Sequence, residues 1–163
     1  MDSFDTSDEE NAALKALTLK IHRTLAHSYT AFFAFFLIGI FFNSFFPVKF
    51  LDSSLAVPFG FSILVFATVL IFWAQRTSRY LKKESPTVEH FCRGPYCYSR
   101  SPTHWGLFFL MLGFGIIINS GFVILFSLMA FFVTKMIFIK KEEEALAQKY
   151  GEPYLEYKRK VKL

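Results

Sequence analysis

The stretch WGLFFLMLGFGIIINSGFVILFSLMAFFVTKMIFI, residues 105–139, decides the fold. Its two apolar arms, Trp105 to Ile118 and Phe122 to Ile139, contain a single charged residue, Lys135, and are divided by Asn119-Ser120-Gly121, a turn signature. The pair reads as a tight helical hairpin whose first arm is extended by Thr103 and His104 to cover 103–118. The second arm, 122–139, has 18 residues, close to what a hydrocarbon core requires, whereas 14 residues in the first also suit a re-entrant or buried segment.

Two further apolar runs precede the hairpin. Residues 29–46 are uncharged and stop at Pro47, and at 1.5 Å per residue they reach about 27 Å, a bilayer's hydrocarbon thickness. Residues 55–74 form another, with Pro58 tolerable in a first helical turn and Trp73 at the interfacial end. Upstream, Leu14, Leu17, Ile21 and Leu25 recur at three- and four-residue steps among Lys15, Lys20, His22 and Arg23, which predicts an amphipathic helix over 12–27. It is expected to lie in the membrane interface or to run straight into the next helix. Residues 1–11 are read as a disordered acidic tail, of the wrong sign for a secretory n-region, so insertion is assigned to internal segments. The expectation is an all-α integral membrane protein with four transmembrane helices, forming one domain over 12–163.

Composition agrees. Of 163 residues 53% are hydrophobic and 23 are Phe, while only 19% are charged against roughly a quarter in soluble domains. That excludes a soluble domain and a disordered chain. The net charge of +5 does not point to nucleic acid, because the basic residues flank apolar runs instead of forming a stripe with interleaved aromatics. Six Lys or Arg fall between Arg76 and Arg100 and seven from Lys140 onward, with Lys49 alone on the other side. Both termini are therefore expected in the cytoplasm, at the endoplasmic reticulum in a eukaryote or the inner membrane in a bacterium. Cys92 and Cys97 are too far apart for a two-residue zinc or redox motif and are read as reduced thiols; no metal site is expected.

The chemistry is expected where the polar loop 90–104 and the polar tail 140–163 meet at the base of the hairpin. The loop reads Gly94-Pro95-Tyr96-Cys97-Tyr98-Ser99-Arg100-Ser101-Pro102-Thr103-His104-Trp105-Gly106. The tail holds Glu142-Glu143-Glu144-Ala145-Leu146, then Tyr150-Gly151, then Tyr154, Tyr157 and Val161. In order and spacing these motifs resemble the membrane methyltransferases that include isoprenylcysteine carboxyl methyltransferase and the phospholipid N-methyltransferases. The family pattern runs Gly-Pro-Tyr, Arg-His-Pro, Tyr and Gly, and closes with Glu-Glu-x-x-Leu, an aromatic-Gly pair and Tyr-x-x-Tyr. The likeness covers about residues 94–161. Here Ser101 stands where the family usually has His, and His104 where it usually has Tyr. His104, nearly one helical turn on, is the candidate to supply the missing imidazole.

The resemblance implies S-adenosylmethionine as cofactor and Arg100, His104 and Glu143 as catalytic residues. It implies binding by Tyr96, Tyr98, Arg100, His104, Gly106, Glu142, Glu143, Tyr154 and Tyr157. The residue chemistry suits that ligand: Glu142 and Glu143 for an ammonium, Arg100 for a carboxylate, tyrosine faces for adenine or sulfonium. No Gly-rich strand-turn-helix fingerprint occurs, so the site is expected to be built from loops.

The plainer alternatives are a solvated face for Glu142 to Glu144, a positive-inside anchor for Arg100, and a structural imidazole for His104. Tyr154 and Tyr157 would then be interfacial anchors, and Gly106, Gly113 and Gly115 helix-packing positions. The implied acceptor is lipophilic and enters sideways from the bilayer. A prenylated-cysteine carboxylate is the nearest likeness, from residues 152–161, and a phospholipid amine is the alternative. A sterol-reductase-like oxidoreductase using a nicotinamide and a non-catalytic scaffold are the readings from other classes. The sequence leaves the oligomeric state open.

Overall fold

The computed structural model describes residues 3–49, 51, 53–81 and 91–161, and among them it is all helical. Helix α1 covers Ser3–Phe45 and α2 Ser53–Leu81. A short 3-10 turn, Gly94–Cys97, precedes α3, Pro102–Ile117. Then come α4, Gly121–Thr134, one π-helical turn, Lys135–Ile139, and the polar helix α5, Lys140–Tyr150. The last helix, α6, is Glu152–Lys160. Residues 82–90 of the loop, where part of the expected cofactor segment falls, lie outside the described residues.

Three helical stretches are long and apolar enough to cross a membrane: Ala12–Phe45, Ser54–Ser78 and Gly121–Tyr150. Helix α3 is the short arm, at 16 residues about 24 Å long. The protein is an integral membrane all-α protein whose large apolar side chains face outward: Phe33, Phe41, Phe59, Phe66, Phe72 and Phe132 are all exposed. In lipid that is the favourable direction, since helices satisfy their own backbone polar groups.

Three expectations change. Of the two readings of the amphipathic segment the second holds, since it is continuous with the next helix in α1, and the acidic stretch, read as disordered, is helical from Ser3 on. No glycine precedes Gly39 and no proline precedes Pro47, so nothing stops the helix between them. Helix α2 starts earlier than the apolar run, which puts Pro58 inside it instead of in its first turn. Cys92 and Cys97 are joined in a disulfide, their Cα atoms 4.4 Å apart, because Gly94 (φ +57°) and the 3-10 turn fold the segment between them back on itself.

Helix α2 packs along α3, and α1 along α4. The first pair is close because Ala56, Gly60, Ala67 and Ala74, at four- and seven-residue steps, put a small-residue face against α3. A Cβ on Gly60 would stand 2.7 Å from the Gly113 carbonyl oxygen, and one on Gly106 would strike the Ile71 side chain. Between α1, α3 and α4, Phe32, Phe108, Met111 and Ala130 form the buried core, and the rings of Trp105 and Phe108 pack at a tilt against Phe131, with centroids at 4.6 and 4.9 Å.

At the end away from the site, Asn119 takes a left-handed conformation (φ 52°) that reverses the chain. Its side chain accepts from the Leu51 N–H at 3.1 Å and donates to the Leu51 carbonyl at 2.5 Å, while the Gly121 N–H bonds the Val48 carbonyl. Ser120 caps α4 through the Val123 N–H at 3.2 Å. Asn119→Ala should cost about 1 to 3 kcal/mol, from the Leu51 N–H and carbonyl left without that side chain and from the loss of a residue type that tolerates positive φ. Denaturant unfolding of the detergent-purified protein measures it; an unchanged midpoint would show that the hairpin turn does not hold the preceding loop.

Candidate functional site

The opposite end collects the first half of α1, the end of α2, the start of α3 and both tail helices around one cavity of about 190 Å³. From α1 come Ile21, Leu25 and Tyr29, and from α2 Gln75 and Ser78. The loop and α3 supply Phe91, Tyr96, Arg100, Thr103 and His104, and the tail supplies Glu142, Leu146, Tyr150, Tyr154 and Tyr157. Loop and tail thus meet, as the motif order required.

The charged groups are arranged in two ranks. Glu143, at the base of α5, is clamped by two cations: Arg100 Nη1 lies 2.8 Å from Oε1 and Lys158 Nζ 2.9 Å from Oε2. Their side chains are 19%, 11% and 41% exposed for Arg100, Glu143 and Lys158, so the cluster is largely sheltered. With both oxygens taken, Glu143 sits behind the wall and orients Arg100. Of the two glutamates, Glu142 is the one that lines the cavity. The Arg100 Nε–H is buried and finds no acceptor among the described residues, an unmet donor on a residue that lines the cavity.

Aromatic residues close the site. Phe91 stands edge-on to Tyr150 and Tyr154, with centroids at 5.2 and 5.6 Å, and the cluster continues to Tyr157 and Val161. Tyr154 and Tyr157 are only 3% exposed, which fits an interior role and not that of interfacial anchors. The Tyr157 hydroxyl donates to the Tyr96 carbonyl at 2.7 Å and ties α6 to the loop. Burial pushes the phenols of Tyr96, Tyr154 and Tyr157 above their ordinary range, reinforced at Tyr154 by Glu143 and Glu142 and at Tyr157 by Tyr96. They remain neutral hydrogen-bond donors near pH 7.

His104 reaches the cavity wall but is committed elsewhere. Ser28 donates its hydroxyl proton to the Leu25 carbonyl at 2.8 Å, which leaves its oxygen as acceptor for His104 Nε2 at 3.1 Å. The imidazole packs between Tyr29 and Phe32, with centroids at 6.1 and 6.3 Å, and so joins α3 to α1.

Of the sequence-predicted residues, Tyr96, Arg100, His104, Glu142, Tyr154 and Tyr157 line the cavity and Glu143 supports it. Tyr98 and Gly106 do not. Tyr98 is 77% exposed and turns to the outer side of the loop, and Gly106 is a packing position against Ile71. Ser28, Gln75, Ser78 and Phe91 were missed, as was Lys158, whose signal was its place directly after Tyr157 in the tail motif.

Residues 55–153, more than half of the chain, match the family model described as phospholipid methyltransferase. No curated protein and no solved structure matches the chain.

Proposed function

The chain belongs to the phospholipid methyltransferase family, a membrane methyltransferase family, and from that membership and this cavity we propose that it methylates a lipophilic acceptor using S-adenosylmethionine. The observation that carries the reading is the Arg100 Nε–H, buried and without an acceptor among the described residues, on the wall of a cavity that Glu142 also lines. A donor and an acceptor of this kind suit the carboxylate and ammonium of an amino-acid end. The faces of Tyr96 and Tyr154 suit an adenine ring or a sulfonium. About 190 Å³ is less than the roughly 300 to 1,000 Å³ of ligand clefts, so the cavity would enclose one end of the cofactor and leave the rest in its mouth.

The cofactor supplies a methyl group on a positively charged sulfur. The protein's work is alignment and exclusion of water, which the Phe91, Tyr150, Tyr154 and Tyr157 cluster performs from the tail side. The family match favours a phospholipid amine as acceptor. An ammonium must lose a proton before it attacks. A prenylated-cysteine carboxylate is the second reading, supported by the likeness of residues 152–161 to that branch.

The charge count supports a cytoplasmic cavity and cytoplasmic termini. The Cys92–Cys97 disulfide at the same end argues the other way, since cytosolic thiols are kept reduced. Thirteen cations in loop and tail against Lys49 outweigh it.

Calorimetric titration of the detergent-purified protein with S-adenosylmethionine and its demethylated product tests the proposal. Glu142→Gln should weaken binding by about tenfold, the cost of one charge-assisted hydrogen bond. Binding of a reduced nicotinamide instead would favour the reductase reading, and binding of neither would favour the scaffold.

A further inference from the structure

The chain's two cysteines, Cys92 and Cys97, form one disulfide, and each directly follows a residue that lines the cavity, Phe91 in one case and Tyr96 in the other. Taking the methyltransferase reading and its cytoplasmic cavity as premises, we propose that this bond is a redox switch on the cavity. Closed, it holds Phe91 and Tyr96 in the wall that S-adenosylmethionine meets. Opened by a dithiol, it releases them, and the cofactor binds poorly.

The bond matters because of what its two ends hold. Phe91 packs on the tail, with ring centroids 5.2 Å from Tyr150, 5.6 Å from Tyr154 and 5.6 Å from Tyr157. Tyr96 holds the tail separately, since its carbonyl accepts the Tyr157 hydroxyl at 2.7 Å. A Cα separation of 4.4 Å between Cys92 and Cys97 keeps these two grips in one register. The side of the membrane makes the bond conditional: cytosolic thiols are kept reduced, and a disulfide there is usually transient, catalytic or redox-sensing. A closed bond and a cytoplasmic loop are compatible once the bond is one of two states. Cys92 is exposed, which gives a soluble dithiol access, and the chain has no third cysteine to compete. One thiolate of the dithiol attacks the Cys92 sulfur, the S–S bond breaks, and its electron pair leaves on Cys97 Sγ, which takes up a proton. The second thiolate then displaces Cys92 from the mixed disulfide, so that two electrons have passed to the chain and the dithiol departs as a disulfide. Oxidised glutathione runs the exchange backwards and leaves as two reduced molecules.

The full-length protein in detergent is equilibrated with oxidised glutathione, with dithiothreitol, or with an excess of reduced glutathione as in a cytosol. Each sample is titrated with S-adenosylmethionine and followed by amide hydrogen exchange. Dithiothreitol should weaken binding by about tenfold, because Phe91 and Tyr96 must then be ordered when the cofactor enters. It should also speed exchange by about tenfold at the Tyr98 and Ser99 amides, which bond the Pro95 carbonyl inside the closed loop, and leave the Asn119 turn unchanged. Excess reduced glutathione should open the bond, and oxidised glutathione should restore both affinity and protection. Cys92→Ser/Cys97→Ser should match the reduced wild type in every buffer. Equal affinity in the two states, equal exchange in the loop, a double variant that still responds to dithiothreitol, or a bond that stays closed in reduced glutathione would each overturn the switch. Failure of either state to bind S-adenosylmethionine would overturn the functional reading, and the exchange comparison would still decide whether the bond controls the wall.

Discussion

Glu143→Ala is expected to destabilise the detergent-purified protein by about 2 to 3 kcal/mol and to weaken S-adenosylmethionine binding by about tenfold or more. The side chain neutralises two cations at once, Arg100 at 2.8 Å and Lys158 at 2.9 Å. Removing it leaves a guanidinium and an ammonium facing each other at a sheltered site. Breaking a fully buried pair costs about 3 to 5 kcal/mol, and the lower figure here reflects the partial exposure of all three groups. Binding suffers for a geometric reason: without its anchor the Arg100 side chain no longer keeps its place in the cavity wall. Glu152→Ala is the internal control. Its pair with Arg159 is 3.6 Å long and more than 70% exposed on both sides, a kind worth about 0 to 1 kcal/mol. If the two substitutions shift the unfolding midpoint equally, the cluster has no special weight. A cycle with Arg100→Ala separates direct from indirect loss: the affinity of the double variant should equal that of Arg100→Ala alone.

The motif order made it legible that Arg100 and the Glu142-Glu143 pair share one end of the molecule. It also suggested that arginine and glutamate grip opposite ends of a ligand. Arg100 and Glu143 instead grip each other, and Glu142 takes the inward position. Adjacent glutamates on a helix point about 100° apart, and only the neighbours decide which of them meets the ligand. The neighbour that decides here is Lys158, from a helix folded back at Gly151 (φ +64°).

The apolar runs were readable because an uninterrupted apolar run of about 18 residues satisfies its backbone groups in lipid as a helix. The contributions of α1 and α2 to the site were not. Ser28, Gln75 and Ser78 sit at the margins of apolar runs where no periodic contrast marks an inner face, so their positions follow only from the packing of α1 on α4 and of α2 on α3. The same absence of contrast left the continuity of α1 as one of two readings. An amphipathic pattern that fades into a uniformly apolar one leaves no mark at the junction.

Gly60→Val should have the largest effect of any single change in the membrane region, loss of most folded protein from the purified fraction. The reason is backbone against backbone. A Cβ at Gly60 meets the Gly113 carbonyl at 2.7 Å and the Ile117 N–H at 2.9 Å, and neither can swing aside as a flexible side chain would. Overpacking costs about 1 to 3 kcal/mol where side chains can adjust, and more where only helix separation relieves the clash. Gly115→Ala supplies the contrast, since its nearest neighbours are the Val123 and Ile124 side chains at 3.1 and 3.2 Å, and its cost should be about 1 kcal/mol or less. Gly60→Ala falls between them and keeps the argument testable if the valine variant cannot be purified. Helix α2 delivers Gln75 and Ser78 to the cavity, and α3 begins two residues after Arg100, so a wedge at Gly60 displaces two walls of the site from a distance. The alanine variant should therefore lose S-adenosylmethionine affinity together with unfolding temperature. Full affinity at reduced stability would instead show that the site is held from the tail alone.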